Sequence, residues 1–158
     1  GQGWPPTAAD GALAAFHTVS MIFVIPIALI SDRLGTRRGI LIPAALMAAT
    51  GFGLLSIVEG PLVWAAVVLA GLVRDGFMAV FMTAVIETKG VGPAYAGTAL
   101  GLVMIFSGLG NLVAPPLGNS FAATTPGLPF LFWAFMALVG FIGLLLARSK
   151  QREAPALP

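Results

Sequence analysis

The chain has 158 residues, a formal net charge of +2, a single histidine and no cysteine. Hydrophobic residues make up 58% of it and charged residues only 9%, whereas soluble domains carry about 25% charged residues. This composition argues against a soluble domain and a nucleic-acid partner, and it excludes a disulfide framework and a thiolate metal site. It indicates a protein whose main partner is the lipid bilayer.

Five apolar segments follow one another along the chain, each about 20 residues or longer, the length that a membrane-spanning helix needs. They cover residues 11–30, 39–58, 62–86, 94–118 and 128–147. Because the bilayer leaves no water to satisfy open backbone groups, we predict an all-α, polytopic membrane bundle of five transmembrane helices. It would form a single membrane domain over residues 1–158, in which the polar, proline-rich residues 148–158 are a flexible tail.

Positive charge is distributed unevenly between the two ends of the spans. Seven of the eight lysine and arginine residues lie in the loop after the first span, the loop after the third span and the tail. The alternate segments, including residues 1–10, carry none. The positive-inside rule therefore predicts a protein of the plasma (inner) membrane with its N-terminus outside and its C-terminus in the cytoplasm.

The loop after the first span reads SDRLGTRRG and contains Asp32, Arg33, Gly35, Arg37 and Arg38. A topological anchor would explain the arginines alone. Asp32 ends a helix, where the helix dipole disfavours an anion, so this carboxylate needs a cationic partner or a helix N-terminus. Gly35 permits a tight or left-handed turn between the charges. Together these residues predict a structured loop that acts as a conformational gate.

In this loop the chain resembles the major facilitator superfamily. The family signature between the second and third helices of each half reads approximately G-x-x-x-D-R/K-x-G-R/K-R/K, and here it reads ALISDRLGTRR, from Ala28 to Arg38. Two positions depart from the signature, because Ala28 replaces the usual glycine and Thr36 occupies the first basic position.

The fourth span adds to the resemblance, since it looks like the glycine- and proline-rich fifth or eleventh helix of that family. Small residues let membrane helices approach closely, and prolines weaken the helical hydrogen-bond ladder. The residues to which we assign helix packing or a hinge are Gly97, Gly101, Gly108, Gly110, Pro115 and Pro116. Plain tight packing remains the alternative to the hinge.

Members of this family have twelve helices in two halves of six, so the resemblance implies that the five spans are either helices 8–12 or helices 2–6. The short tail favours helices 8–12. In the other register, the Arg74-Asp75-Gly76 run would place its glycine too early for the family's R-x-x-Q-G motif. The implied partner is the missing N-terminal half of the same chain. Because the gate loop of one half contacts the opposite half in this family, we expect Asp32 to be unpaired here.

Two charged residues lie inside the third span, with Arg74 at its midpoint and Asp75 next to it. A charge at that depth costs at least ~2.5–3.5 kcal/mol and usually faces a wet cavity or a partner. Adjacent residues are about 100° apart on a helix, so we expect the two side chains not to face each other. Arg74 is predicted to bind an anionic substrate group and Asp75 to orient it or carry a proton. The alternative is a buried network between helices.

Three further polar residues are candidates for the site or its surroundings. His17 could relay protons or be a hydrogen-bonded packing residue, and Asn111 could line a cavity or bond across helices. Glu87 ends the third span and is expected to pair with Lys89 or with the arginine loop.

These features predict a secondary active transporter that moves a small solute by alternating access, with proton coupling and a small organic or inorganic anion as substrate. The alternatives are an exporter of drugs or hydrophobic cations in the same superfamily and a non-transporting membrane scaffold. An enzyme is not expected, because no set of nucleophiles or metal ligands converges at one depth, and no catalytic residue is assigned. No cofactor or metal is expected, and no phosphate-binding G-x-x-x-x-G-K-S/T motif supports ATP as the driving force.

Overall fold

The structure is a computed structural model that describes residues 6–147. The helices are α1 (Pro6–Leu34), α2 (Arg38–Leu55), α3 (Leu62–Leu72), α4 (Arg74–Ile86), α5 (Gly92–Ser120) and α6 (Leu128–Leu146). One turn of 3₁₀-helix, Phe121–Ala123, follows α5. The part of the chain in these ranges has no strand, which confirms the all-α class. The predicted tail, residues 148–158, lies outside the described residues.

Five helical stretches are long and apolar enough to cross a membrane, which confirms the predicted number of spans. They are Thr7–Leu34, Arg38–Leu55, Leu62–Ile86, Gly92–Ala123 and Leu128–Leu146. The third span consists of α3 and α4 with an interruption at Val73. The helices of the first and fourth spans, α1 and α5, extend beyond their predicted segments, because hydropathy detects only the apolar part of a helix whose ends are polar.

The third span is the centre of the bundle. In its most apolar 18-residue window 39% of the residues are buried, against 6% in the first span and none in the fourth. α1 packs on α3 and α4, α2 packs on α3 and α6, and α5 packs on α4. The outer faces of α1 and α5 present large apolar side chains such as Met21 and Phe106, which are 75% and 71% exposed. Such faces require an apolar environment such as lipid.

Close helix contacts depend on three glycines at which an added Cβ would collide with a neighbouring helix. At Gly71 it would lie 2.7 Å from the carbonyl oxygen of Phe16 in α1. At Gly51 it would lie 2.8 Å from the backbone nitrogen of Ala70 in α3, and at Gly76 it would meet the Ile27 side chain at 2.7 Å. The absence of a side chain at these positions lets α3 and α4 pack directly against α1 and α2.

Candidate functional site

A cavity of about 480 Å³ opens beside the interruption of the third span, and all six helices contribute to its wall. Most of the wall is apolar and includes the rings of Phe16, Phe52 and Phe77. Its polar lining residues are Arg74, Asp75, Ser107 and Asn111. A largely apolar pocket with a few convergent polar groups is the usual form of a small-molecule site.

The interruption at Val73 places the start of α4 at this cavity. The first residues of a helix have amide groups without helical partners, and here the Asp75 amide donates a hydrogen bond of 2.9 Å to Ser20 Oγ in α1. Ser20 is fully buried. The carboxylate of Asp75 lies in the first turn of α4, where the helix dipole favours an anion. The serine contact therefore holds the charged end of α4 against α1.

Arg74 and Asp75 form an ion pair, with 2.8 Å between Nη1 and Oδ1. The expectation that these neighbours do not face each other is wrong. The angle of about 100° separates their Cα–Cβ directions, but the long arginine side chain folds back across the start of the helix. Both side chains remain accessible, at 52% for Arg74 and 39% for Asp75. The Arg74 guanidinium also lies over the ring of Phe16, 5.8 Å from its centroid, within the range of a cation–π contact.

Asn111 lines the cavity, but His17 is not among its lining residues. The His17 imidazole is exposed and packs edge-on against Phe16, with 5.5 Å between the ring centroids.

Sequence reasoning missed Ser20 and Ser107 as site residues. The signal for Ser107 was its spacing of four residues from Asn111, which places both polar groups on one face of an otherwise apolar helix. No comparable signal distinguishes Ser20 from its neighbours.

The charged loop forms a separate polar cluster at the end of the bundle that holds the start of α2. Gly35 has φ +64°, the left-handed conformation that glycine permits, and the turn directs Arg37 back towards α1. Arg37 Nη1 donates to the Asp32 carboxylate and to Ser31 Oγ. The expectation that Asp32 is unpaired is therefore wrong, because its cationic partner comes from the same loop.

Arg37 also joins the loop to the end of α4. Its Nε and Nη2 atoms donate to the two carboxylate oxygens of Glu87 at 2.9 and 2.7 Å, the paired geometry that arginine makes best. Glu87 therefore pairs with the arginine loop, one of its two predicted partners. The hydrogen bonds that Arg37 donates, first to Glu87 and then to Asp32, raise the pKa of Arg37. This cluster keeps the arginine charged and connects α1, α2 and α4.

The other two arginines of the loop lie apart from this cluster. Arg38 begins α2, and its Nη2 donates to the carbonyl oxygens of Leu144 and Leu145 in the last turn of α6. Such contacts satisfy carbonyls that a helix end leaves free. Arg33 lies exposed in the last turn of α1, where a cation interacts favourably with the helix dipole.

The glycines that sequence reasoning singled out in α5 do not form close contacts here. A Cβ added at Gly97, Gly101, Gly108 or Gly110 would meet nothing within 4 Å among the described residues. Pro115 and Pro116 lie inside α5, which continues through them to Ser120. Their assignment to packing or a hinge stays a prediction.

Comparison with known proteins gives one family and a small set of relatives. A model described as Major Facilitator Superfamily matches residues 1–157. The chain is 29% identical over 158 residues to proteins named "Uncharacterized MFS-type transporter YhhS" from Salmonella enteritidis PT4 (strain P125109) and Salmonella typhi. The match covers 99% of this chain and 38% of each relative, so the chain spans less than two fifths of their length. No solved structure gives a significant match.

Proposed function

The chain belongs to the major facilitator superfamily, and on that premise we propose that it is part of a secondary transporter that moves a small solute by alternating access. The family supports a membrane transporter rather than an enzyme. The observation that carries the substrate proposal is the Arg74–Asp75 pair, which lies in the cavity at the midpoint of the 25-residue third span.

The position of this pair favours a role in binding over a role in structure. At about 1.5 Å per residue, Arg74 is about 18 Å from either end of the span, so its charge cannot easily reach the membrane surface. A network between helices was the structural alternative. Within residues 6–147, however, the ion pair of Arg74 is with its own neighbour, and its guanidinium lies over the ring of Phe16 in α1. An arginine held in this way is better placed to bind a ligand in the cavity than to hold the helices together.

The proposed substrate is a small anion with an apolar body, and the proposed driving force is a proton gradient. The arginine fork suits carboxylate-like groups, and the three phenylalanine rings suit an apolar body. The main competing function is export of hydrophobic cations, since Asp75 and the same rings would accept a cation. A scaffold without transport has little use for an ion pair at this depth, because the pair is costly there.

Uptake by the full-length native protein in proteoliposomes tests this function. We expect an inward proton gradient to drive accumulation of radiolabelled benzenesulfonate, an aromatic anion that stays ionised and crosses lipid poorly. Protein-free liposomes correct for leakage, and ethidium serves as the cationic probe. Accumulation of ethidium under an outward proton gradient instead would favour the exporter, and movement of neither probe under either gradient would reject the assigned substrate classes.

We further propose that the spans are helices 8–12 of a twelve-helix protein and that the missing N-terminal half is the structural partner. The proposed membrane is the plasma (inner) membrane, with the N-terminus outside and the C-terminus in the cytoplasm. This places the charged loop and Glu87 in the cytoplasm and the loops after α2 and α5 outside. Reading the native coding sequence upstream of Gly1 tests the register, because about seven further apolar spans should precede it.

Cysteine labelling tests the orientation, because the 158 residues contain no cysteine of their own. We expect a membrane-impermeant maleimide added to intact cells to label Thr124→Cys and to spare Thr36→Cys until the cells are opened. Both positions are exposed loop residues, and the unmodified protein reports any background from the rest of the native chain. The reverse labelling pattern would invert the proposed topology.

A further inference from the structure

The helix α5 carries only two polar side chains between Thr98 and Asn119, and both line the cavity. They are Ser107 and Asn111, which are four residues apart and therefore lie on one face of the helix. The rest of that stretch consists of apolar residues, glycine and proline. An amide in such a helix is costly unless it finds a hydrogen-bond partner, so the position of Asn111 needs an explanation.

Neither side chain is used to hold the described helices together. Within residues 6–147, neither Ser107 nor Asn111 makes a hydrogen bond to another residue. Thr50 and Thr83, by contrast, donate to carbonyl oxygens of their own helices at 2.8 and 2.9 Å, a common way for a helix to satisfy a hydroxyl group. Asn111 is exposed and Ser107 is half-buried. Both therefore have hydrogen-bonding groups available to a molecule in the cavity.

These two groups lie at nearly the same depth as Arg74, on a different helix of the cavity wall. α4 and α5 pack on each other and are joined by the short connection 87–91, so they run in opposite directions. Arg74 is 12 residues from the end of α4 and Ser107 is 15 residues from the start of α5, or about 18 and 22 Å at about 1.5 Å per residue. Asn111 lies about one turn farther from the connection. The cavity therefore has a cation on α4 and neutral polar groups on α5.

We propose that Asn111 and Ser107 form a second polar subsite of the cavity, the α5 subsite. The transported solute then carries a neutral hydrogen-bonding group, such as a hydroxyl or an amide, at the end of its apolar body opposite the anionic group. This inference rests on the proposed anion transport and adds the group by which the site selects its substrate. In the loaded site Arg74 binds the anion, the phenylalanine rings contact the body, and the α5 subsite binds the neutral end.

Hydrogen bonding explains how the α5 subsite selects among anions. The Asn111 amide offers an acceptor oxygen and two N–H donors, and the Ser107 hydroxyl both donates and accepts. A solute hydroxyl can therefore donate to one of these side chains and accept from the other. An apolar group at the same place would displace water from both side chains and leave them unpaired, which lowers affinity. The α5 subsite thus discriminates between solutes of equal charge and similar size.

The test compares two sulfonates that differ in one substituent, each bound to the purified full-length protein at about pH 6.5, where a phenol is neutral. The probes are 4-hydroxybenzenesulfonate and 4-methylbenzenesulfonate, which are ionised and nearly equal in size. We expect the Kd of the methyl compound to be about tenfold higher than that of the hydroxyl compound, since each neutral hydrogen bond contributes about two- to tenfold in affinity. Equal Kd values, or tighter binding of the methyl compound, would overturn the inference.

Substitutions in α5 assign this preference to individual residues. In Asn111→Leu, which keeps the side-chain shape, the tenfold preference should disappear or reverse, and in Ser107→Ala it should be partly lost. The ratio of the two Kd values is the readout, because a defect in folding weakens both probes and leaves their ratio unchanged. Asn119→Leu is the matched control and should keep the wild-type ratio, since Asn119 is the other asparagine of the chain and lies in the last turn of α5, outside the cavity lining.

Uptake of benzenesulfonate separates this inference from the function on which it rests. If wild type transports benzenesulfonate but does not prefer the hydroxyl compound, the α5 subsite is refuted and the anion transporter stands. If wild type shows the preference and Asn111→Leu retains it in full, the neutral group is bound elsewhere, and again only the α5 subsite is refuted. If the protein binds neither sulfonate and does not transport benzenesulfonate, the proposed anionic substrate fails, and the inference fails with it.

Discussion

Replacing Arg74 with glutamine is expected to lower benzenesulfonate uptake by about 100-fold or more while the protein still reaches the membrane. The variant removes the charged fork that holds the anion, and hydrogen bonds to charged groups contribute about 1.5–3 kcal/mol each. Two such bonds amount to about 3 kcal/mol or more, and each 1.4 kcal/mol corresponds to about tenfold in affinity. Glutamine keeps much of the side-chain length, so the loss should reflect charge and not an empty space. The measurement is initial uptake in proteoliposomes with matched protein content.

Two variants sharpen this prediction. Arg74→Lys keeps the charge but presents a point donor in place of a planar fork, so its uptake should fall between that of glutamine and wild type. Lys89→Gln removes an exposed loop cation outside the cavity, and uptake should be unchanged. Wild-type uptake by Arg74→Gln would show that the anion is bound elsewhere, and it would remove the main support for the proposed site.

Replacing Gly71 with leucine is expected to destabilise the protein by about 3 kcal/mol or more, since overpacking a tight contact costs about 1–3 kcal/mol and sometimes more. The Cβ alone would lie 2.7 Å from the Phe16 carbonyl oxygen and 3.2 Å from its Cα. These are backbone atoms, which cannot move aside as a flexible side chain would. We expect α3 to move away from α1, with a fall in Tm of about 5–10 °C in detergent. Uptake should fall as well, because Phe16 and Arg74 line the same cavity.

The alanine variants provide the matched comparison. Gly71→Ala and Gly143→Ala share the same gain in helix propensity, about 1 kcal/mol. They differ in surroundings, because a Cβ at Gly143 meets nothing within 4 Å among the described residues. Gly71→Ala should therefore have the lower Tm of the two. Equal Tm values would show that α1 and α3 are not in close contact at this point.

The conformational features of the charged loop divide between those that were predictable and those that were not. A glycine between charged residues predicted a turn, and Gly35 adopts a left-handed conformation. The pairing of Asp32 was predicted wrongly because the family resemblance directs attention to the opposite half. The turn itself brings Arg37 within reach of Asp32, and a side chain only five residues away forms the pair without any distant helix.

The sequence was equally unable to predict which glycines form close contacts between helices. Every glycine in a membrane helix permits close approach, so the clustered glycines of α5 were the obvious candidates. The collisions with a neighbouring helix that would follow an added Cβ instead occur at Gly51, Gly71 and Gly76. Which glycine faces a neighbour depends on how each helix is rotated about its axis, and an apolar segment that is hydrophobic on all sides does not specify that rotation.

The sequence by itself determined that these residues form five membrane-spanning segments with charges at the middle of the third. The physical reason is that burial in lipid requires long apolar helices, and this requirement acts on each segment independently. Only the tertiary structure decided that Arg74 pairs with Asp75, that Ser20 holds the start of α4, and that Ser107 faces the same cavity. These relations depend on side-chain reach and on the packing of residues far apart in the chain, which composition and hydropathy do not contain.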